Sequence, residues 1–170
     1  PLCTLKNFPS SINHTIQWAR DRFEGSFVNS VNNSIRYLKD PKEVSKLPPT
    51  EFGQIYDDVM FVLDKWLPKN YGDCLRFARY MFEHEYVNQI KQLLNQFPAD
   101  HTTGEGAPFW TGTKRCPTVN EFDVDNQDHM EYILSCAKLW ADVFNIKTYT
   151  ANIKQIEAVL TDMESKLEKF

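Results

Sequence analysis

Cys3 is the residue of this chain with the most direct chemical use, because a thiolate is a strong nucleophile even when only a small fraction is ionised at neutral pH. It lies in a short polar segment ahead of the first predicted helix. Thr4 can donate a hydrogen bond to the sulfur or to an oxyanion, and the cation of Lys6 can stabilise a thiolate. We therefore take Cys3 as the candidate nucleophile, with Thr4 and Lys6 as candidate supporting residues.

The sequence offers no evident general base for Cys3. His14 is the nearest histidine along the chain, but it falls on the first predicted helix, where we expect it to pack or to cap the helix. A thiol without a strong base suits attack on an acyl group that is already activated, such as an acyl adenylate, because that leaving group needs no proton. The other histidines are scattered and form no recognisable dyad with Cys3: His84, His101 and His129.

The element that must position Cys3 is the amphipathic helix that follows it. Ser10 and Ser11 stand just before its first apolar residue, where a hydroxyl can accept hydrogen bonds from the free amides of the first turn. Trp18 lies beside its apolar face, which we expect to be buried. The residues of that face recur at helical spacings: Ile12, Ile16, Ala19, Phe23 and Phe27.

Hydrophobic periodicity predicts an all-α fold of about six helices, and no segment shows a convincing period of two. Asp40, Thr50 and either Asp125 or Asn126 are the expected capping residues of three of the helices, and Thr150 is that of the last one. An Asn-rich stretch at 29–33 predicts a break after the first helix. The predicted helices cover about 12–27, 34–39 (a short one), 41–47, 50–66, 71–97, 126–145 and 151–170.

Residues 98–125 interrupt the helical pattern with several prolines and glycines, and we predict one long ordered loop there. Phe109, Trp110 and Phe122 are the side chains expected to fix it on the helices. We favour an irregular segment laid over the helices above a direct binding role. Cys116 follows Lys114 and Arg115 in this loop, and neighbouring cations favour a thiolate, but nothing else marks Cys116 as catalytic.

Composition places the chain among globular domains and excludes several classes of function. Its 170 residues suit one domain, with 42% apolar and 14% aromatic residues and a net charge of −4. No basic stripe suggests nucleic acid as a partner, and no apolar run reaches the ~20 residues of a membrane span. No Walker or dinucleotide glycine motif appears, so we expect neither a nucleotide site nor a metal in this part. The start at Pro1, without Met, suggests an excised fragment or a processed chain.

Four cysteines allow two disulfides, but we favour free thiols, because a helical domain of this size needs no such cross-link. Cys74 and Cys136 fall on apolar helix faces, which indicates small buried residues. The cysteine spacings contain no CxxC pair and no zinc pattern.

Three separated blocks of the sequence resemble the ubiquitin-activating enzymes. The first is PLCTLKNFP followed by HTIQWARDRFEG, which is similar to the segment that carries the active-site cysteine of that family. The others are YGDCLRFARYMFEHEYVNQIKQLLNQFP and, at 106–126, GAPFWTGTKRCPTVNEFDVDN. The blocks agree with the family in order and spacing over roughly 1–145. The resemblance implies that residues 1–170 are the second catalytic cysteine half-domain of such an enzyme, cut from a larger chain.

The same resemblance implies a reaction and a set of partners. A separate adenylation domain of the same chain would use ATP and magnesium to adenylate the carboxyl terminus of ubiquitin. Cys3, which aligns with the family nucleophile, would accept ubiquitin as a thioester and pass it to a ubiquitin-conjugating enzyme. The implied location is the cytoplasm and the nucleus. Two alternatives remain: a non-catalytic helical interaction module, and the same half-domain acting on another ubiquitin-like modifier.

Overall fold

A computed structural model describes residues 8–147 and 152–170 of the chain, and six helices account for most of them. Within these residues, the one strand-like feature is a single antiparallel bridge between Thr102 and Pro108, so the predicted all-α fold is confirmed. The helices are α1 (12–39), α2 (Pro41–Val44), α3 (49–65), α4 (71–96), α5 (Gln127–Val143) and α6 (Ile153–Glu164).

Three helices contain a wide π-helical turn, in α1 at Glu24–Asn29, in α3 at Met60–Lys65 and in α4 at Glu83–Asn88. The backbone of α1 and α4 stays helical through the π turn. A π turn is a single wider turn inside an α-helix, and such turns are frequent at functional sites. The π turn of α1 contacts α5.

The predicted break at 29–33 is wrong, because α1 runs unbroken through its Asn-rich stretch. The polar side chains there bond within the helix or to α3 instead of ending it. The Ser34 hydroxyl donates to the Ser30 carbonyl at 2.9 Å, and Asn33 donates its amide to the Asp58 carboxylate at 2.7 Å. Ser30 and Ser34 are buried, so these bonds satisfy polar groups at the contact between α1 and α3.

Side-chain caps start several of the helices. Asp40 accepts from the Glu43 amide at 3.0 Å and so caps α2, as predicted. Asn126 caps α5 by accepting from two amides of its first turn, which confirms one of the two predicted residues. The prediction for Thr50 is wrong, because α3 already begins at Pro49, whose missing N–H costs nothing in a first turn.

The cap of α6 is Asn152, which forms a reciprocal pair of side-chain bonds with Gln155. Thr150, the predicted cap, lies outside the described residues, and the helix ends at Glu164 rather than at the last residue. α4 begins with a similar reciprocal pair between Asn70 and Asp73.

The buried centre of the molecule is α4, which packs most extensively against α5 and also against α6. Phe77 of α4 stacks on Trp140 of α5, with ring centroids 4.0 Å apart and planes 16° apart. The Trp140 indole donates to the Trp66 carbonyl at 2.9 Å, which ties the end of α3 to α5. A second, smaller cluster lies between α2 and α3 around Val44, Ile55 and Val59.

The first half of α1 does not bury its apolar face. No residue of Ile12–Phe23 is buried among the described parts of the chain, and Ile12, Ile16 and Phe23 are 71%, 60% and 44% exposed. The expectation of a buried face is therefore wrong here. In this first half only the shoulder of the helix packs: Trp18 is half-buried against Tyr86 of α4, with ring centroids 6.0 Å apart. Phe27, the last residue of the predicted face, does pack against the main core, on Phe77 and Trp140.

Candidate functional site

The predicted catalytic residues Cys3, Thr4 and Lys6 lie outside the described residues, so their assignment stays a prediction. What the structure does describe is the chain that leads away from Cys3, beginning at Phe8. The described part of this candidate site is therefore residues 8–14 together with the residues that they contact.

Phe8 packs against the long loop that the sequence predicted at 98–125. Its ring centroid lies 5.8 Å from that of Phe109 and 5.8 Å from that of Trp110, in edge-on and tilted geometries. Lys114 completes the group, with its Nζ 5.6 Å from the Phe8 centroid and 4.4 Å from the Phe109 centroid. We call Phe8, Phe109, Trp110 and Lys114 the aromatic anchor.

The loop side of the aromatic anchor is fixed to the carboxyl end of α4. Phe109 stacks on Phe97 with centroids 4.5 Å apart and planes 4° apart. The Trp110 indole N–H lies 3.1 Å from the Phe97 carbonyl and 2.9 Å from the Pro98 carbonyl and donates to both. The Phe109 amide also donates to the His101 carbonyl at 2.8 Å. The predicted role of Phe109 and Trp110 in fixing the loop is thereby confirmed.

The far end of the loop is fixed by Phe122. Its ring lies 5.3 Å from Phe82 in an edge-on contact, and His129 stacks beside it. The guanidinium of Arg79 lies over the same ring at 4.4 Å. Gly106 has a φ of 79°, a backbone conformation that favours glycine at the tip of the loop.

His14 fixes the segment just before α1, which is the structural role that the sequence indicated. Its Nδ1 accepts a hydrogen bond from the Ser10 amide at 3.1 Å. Ser11 occupies the position before the helix, but its hydroxyl makes no capping bond, so the expected hydroxyl cap is not formed there. The backbone of residues 10–14 is thus fixed from the helix side.

A pocket of about 370 Å³ opens beside Pro9, directly after the aromatic anchor. Its walls are mostly apolar, and Cys116 and Arg115 stand on its loop side. The apolar part of the helix side is formed by Trp18 from α1 and by Tyr86, Ile90 and Leu93 from α4, and polar side chains line it as well: Thr15, Glu85 and Gln89. This pocket places an exposed thiol, Cys116, beside Pro9.

The three cysteines that the structure describes are free thiols. Cys74 is fully buried, and burial raises the pKa of its thiol to about 11. Cys136 is 6% exposed, and burial raises the pKa of its thiol to about 12. Both predicted structural cysteines are confirmed as buried, whereas Cys116 is exposed.

Sequence reasoning missed a set of buried charges. Arg79 is 1% exposed and donates to Glu83 at 2.9 Å and to Glu164 at 2.6 Å. Glu85, also buried, accepts from Arg22 at 3.2 Å and so joins α4 to α1. Arg79 sits among apolar positions of α4, and only the i, i+4 spacing of Arg79 and Glu83 hinted at a pair.

Sequence reasoning also missed Phe8. The one available signal was an aromatic residue placed between Cys3 and the helix. Lys114 was noted only as a neighbour of Cys116.

Among the described residues, no group of three or more His, Cys, Asp or Glu side chains could hold a metal ion. None of the described helices is long and apolar enough to span a membrane.

Comparison with known proteins gives a match over almost the whole chain. The family model described as "Ubiquitin-activating enzyme, SCCH domain" matches residues 9–169. Rabbit (Oryctolagus cuniculus) ubiquitin-like modifier-activating enzyme 1 is 44% identical over 149 residues, which is 86% of this chain. The protein of the same name from Dictyostelium discoideum is 43% identical over 161 residues, or 92% of this chain.

A third relative shows the same relation of lengths. Ubiquitin-activating enzyme E1 1 of Schizosaccharomyces pombe is 40% identical over 152 residues, which is 88% of this chain and 15% of that protein. The matches cover 14% of the rabbit protein and 16% of the Dictyostelium protein. The chain therefore spans about one seventh of the length of these relatives.

Proposed function

Because the chain belongs to the family of ubiquitin-activating enzyme SCCH domains, we propose that it carries the cysteine on which such an enzyme receives ubiquitin. The match over residues 9–169 is the observation that carries the proposal. Cys3 is the proposed nucleophile, since it stands in the PLCTLKNFP segment that resembles the family's active-site motif. Thr4 and Lys6 are its proposed supports.

The proposed reaction has two acyl-transfer steps. The thiolate of Cys3 attacks the terminal carbonyl carbon of ubiquitin adenylate, a C–S bond forms, the bond from that carbon to the phosphate oxygen breaks, and AMP leaves. The thiol of a conjugating enzyme then attacks the thioester, and the Cys3 sulfur departs as a thiolate. The proton of each attacking thiol passes to solvent, so neither step requires a positioned general base.

The contacts of two of the described histidines are consistent with this chemistry. His14 accepts from the Ser10 amide, and His129 lies between the Asp123 amide and the Asn120 side chain. Each is thus engaged in fixing backbone or loop structure. A thiol that attacks an adenylate needs no such residue, whereas the thiol of a protease would.

We assign ATP and magnesium to an adenylation domain outside this sequence. The sequence holds no glycine-rich phosphate motif, and the described residues hold no candidate metal cluster. In the proposed enzyme the partners of this domain are the adenylation domain of the same chain, ubiquitin and ubiquitin-conjugating enzymes. Cytoplasm and nucleus are the proposed locations, and neither nucleic acid nor membrane is a proposed partner.

The decisive experiment replaces Cys3 in the complete enzyme. Cys3→Ala should abolish the reducible ubiquitin thioester and leave ATP–pyrophosphate exchange within about twofold of wild type, because only the second step uses the thiol. Cys3→Ser should form an oxyester slowly, since a serine hydroxyl is essentially un-ionised at neutral pH. Cys116→Ser is the matched control and should keep the thioester. A thioester that survives in Cys3→Ala would assign the acceptor to another cysteine, with Cys116 tested first.

A non-catalytic interaction module is the second candidate function, and the exposed apolar face of α1 favours it. Ile12 and Ile16 are more than half exposed on a helix that also carries Phe23. If the chain were such an interaction module, the Cys3→Ala enzyme would form the ubiquitin thioester as the wild type does. The same assay tests whether the domain acts on a different ubiquitin-like modifier, when each modifier is supplied in turn in place of ubiquitin.

A further inference from the structure

We propose that the pocket beside Pro9 is a binding site for a small amphipathic carboxylate, a molecule with an aromatic body and one carboxylate group. The pocket lies where the start of α1, the second half of α4 and the 98–125 loop meet. This site goes beyond the proposed acyl transfer and is independent of Cys3, because it is formed entirely by described residues.

The size and the walls of the pocket suit an organic molecule. Its volume of about 370 Å³ equals the space of roughly twelve water molecules in the liquid, and small-molecule sites are commonly of this size. Water in the pocket meets few polar partners on its apolar walls, so an apolar body that displaces this water is favoured. These walls come from three parts of the chain: Trp18 of α1, Tyr86, Ile90 and Leu93 of α4, and Pro9 with Pro117.

Two neighbouring aromatic side chains favour an aromatic ligand. The ring centroids of Trp18 and Tyr86 lie 6.0 Å apart with planes 57° apart, and both side chains are only partly buried. Arg22 also contacts Trp18, with its guanidinium carbon 5.8 Å from the centroid of the indole ring. The rings are thus held in place before any ligand binds, and a ligand ring can pack on them in an offset or edge-on geometry.

The charges at the pocket leave one cation for a ligand. Glu85 is the acidic residue of the lining, and its carboxylate already accepts from Arg22 at 3.2 Å. Arg115 is exposed, and its side chain forms no ion pair within residues 8–147 and 152–170. A guanidinium group is a planar fork that can donate two parallel hydrogen bonds to one carboxylate. A polyphosphate fits less well, because it would bring several negative charges to a single cation.

Cys116 provides a readout of occupancy, because its exposed thiol lines the same pocket. The experiment measures the rate at which iodoacetamide alkylates Cys116 in the complete enzyme, and peptide mapping by mass spectrometry separates this thiol from the others. The probe is 4-phenylbutyrate. Its amide has the same shape without the charge, and acetate has the charge without the apolar body. The concentration that halves the effect on the alkylation rate measures the affinity for each compound.

We expect saturating 4-phenylbutyrate to slow the alkylation of Cys116, whereas acetate at the same concentration should leave the rate unchanged. The amide should bind about tenfold more weakly than the acid, because it loses a charged hydrogen-bonded pair with Arg115. Arg115→Gln should weaken the acid to the level of the amide and leave the amide unchanged. Affinities are compared because this variant also removes a cation next to the thiol, which changes the alkylation rate itself.

Thr15→Trp is a second test, since a large side chain at this position of the lining should fill the pocket and abolish protection by both compounds. Arg36→Gln is the matched control, because Arg36 is also an exposed arginine and lies on α1 outside the pocket. It should keep the wild-type affinities. Thr15 and Arg115 are both exposed, so we expect their replacements to leave the core intact.

Three results would overturn the proposed site. They are no protection of Cys116 by 4-phenylbutyrate, equal affinities for the acid and its amide, and protection by acetate as strong as that by the acid. Equal weakening of the acid in Arg36→Gln and Arg115→Gln would overturn it as well, because the effect would then not belong to the pocket. The proposed function fails separately, because its test is the thioester at Cys3 and not the alkylation of Cys116.

Discussion

The cysteines of this domain differ in surroundings, and the differences predict how each thiol reacts. Cys74 and Cys136 are buried in the main core, where a thiolate would lose its solvation, so their pKa values rise to about 11 and about 12. Cys116 is exposed at the rim of the pocket beside Pro9. Reactivity at neutral pH should therefore follow burial.

We predict that an alkylating reagent at pH 8 modifies Cys116 in the native protein, and Cys3 as well if it is the nucleophile. Cys74 and Cys136 should react only after unfolding, because they are inaccessible and un-ionised. Peptide mapping by mass spectrometry with and without guanidinium distinguishes the four thiols. Rapid native modification of Cys74 or Cys136 would contradict the packing of α4 against α5.

These raised pKa values also predict alkaline destabilisation. The folded protein keeps both thiols neutral, while an unfolded chain ionises them at their ordinary values. Their contribution to stability is therefore fully present below about pH 9, and it is lost as the pH rises toward the folded-state pKa values. Guanidinium unfolding at pH 7.5 and pH 10 should show a fall that Cys136→Ala reduces. An equal fall in that variant would assign the effect to other groups.

Trp140 and Trp18 should differ in their contribution to the stability of the domain. Trp140 is fully buried and stacked on Phe77, so Trp140→Ala should lower the free energy of unfolding by about 3–5 kcal/mol. Trp18 is half-buried, and Trp18→Ala should cost only about 1–2 kcal/mol. Denaturant titrations measure both values. Equal costs would mean that the first half of α1 packs more closely than described.

At the scale of helices, α6 is held to α4 by charge as well as by apolar contact. Ile156 and Leu160 of α6 enter the main core. At its last turn, Glu164 accepts from the buried Arg79 at 2.6 Å. The hydrogen bond from Lys169, together with Arg79, lowers the pKa of Glu164 although partial burial opposes the shift.

We predict that acid loosens α6 before the rest of the fold. A carboxyl group with a lowered pKa stabilises the folded state above its ordinary pKa, and this contribution is lost as the pH falls through the lowered value. Amide hydrogen exchange of α6, corrected for intrinsic rates, should show protection falling between pH 6 and pH 3. In Glu164→Gln the protection should already be lower at pH 6 and should change less with pH. Identical pH profiles in the two proteins would rule out Glu164 as the cause.

Much of this helical arrangement could be predicted from the sequence, and the exceptions have physical causes. The long helix at 71–97 and the loop at 98–125 were predictable because apolar spacing and clustered prolines and glycines are strong local signals. The break predicted at 29–33 was wrong, because serines and asparagines do not end a helix when their side chains find hydrogen-bond partners in the folded protein. Here those partners are Asp58 of α3 and carbonyls within α1.

The site was less predictable than the fold. Phe109 and Trp110 were visible in the sequence as residues that fix the loop, but the packing of Phe8 on Phe109 is a contact across about 100 residues that no local pattern reports. The exposure of the apolar face of α1 was also missed. Hydrophobic periodicity shows that a helix is amphipathic, but it does not show whether another part of the protein covers its apolar side. Burial of Arg79 likewise depends on Glu164, a partner that lies 85 positions away in sequence.

At the scale of the whole molecule, the chain is a helical domain that matches only a small part of the length of its relatives. It matches 14–16% of the length of the rabbit, Dictyostelium and fission yeast proteins. Its sequence contains a thiol suited to acyl transfer and no motif that cradles phosphate. The proposed division is that another domain activates the acyl group and this one receives it.

This division predicts how residues 1–170 behave alone. Circular dichroism should first show a helical, cooperatively folding protein. With ATP, magnesium and ubiquitin, the isolated domain should release no pyrophosphate and form no thioester, because nothing in it adenylates ubiquitin. Ubiquitin that already carries a carboxy-terminal thioester with a small thiol should bypass that step and transfer to Cys3 by thiol exchange. The transfer should disappear in Cys3→Ala and persist in Cys116→Ser. Pyrophosphate release by the isolated domain, or transfer that survives Cys3→Ala, would show that activation and capture are not divided in this way.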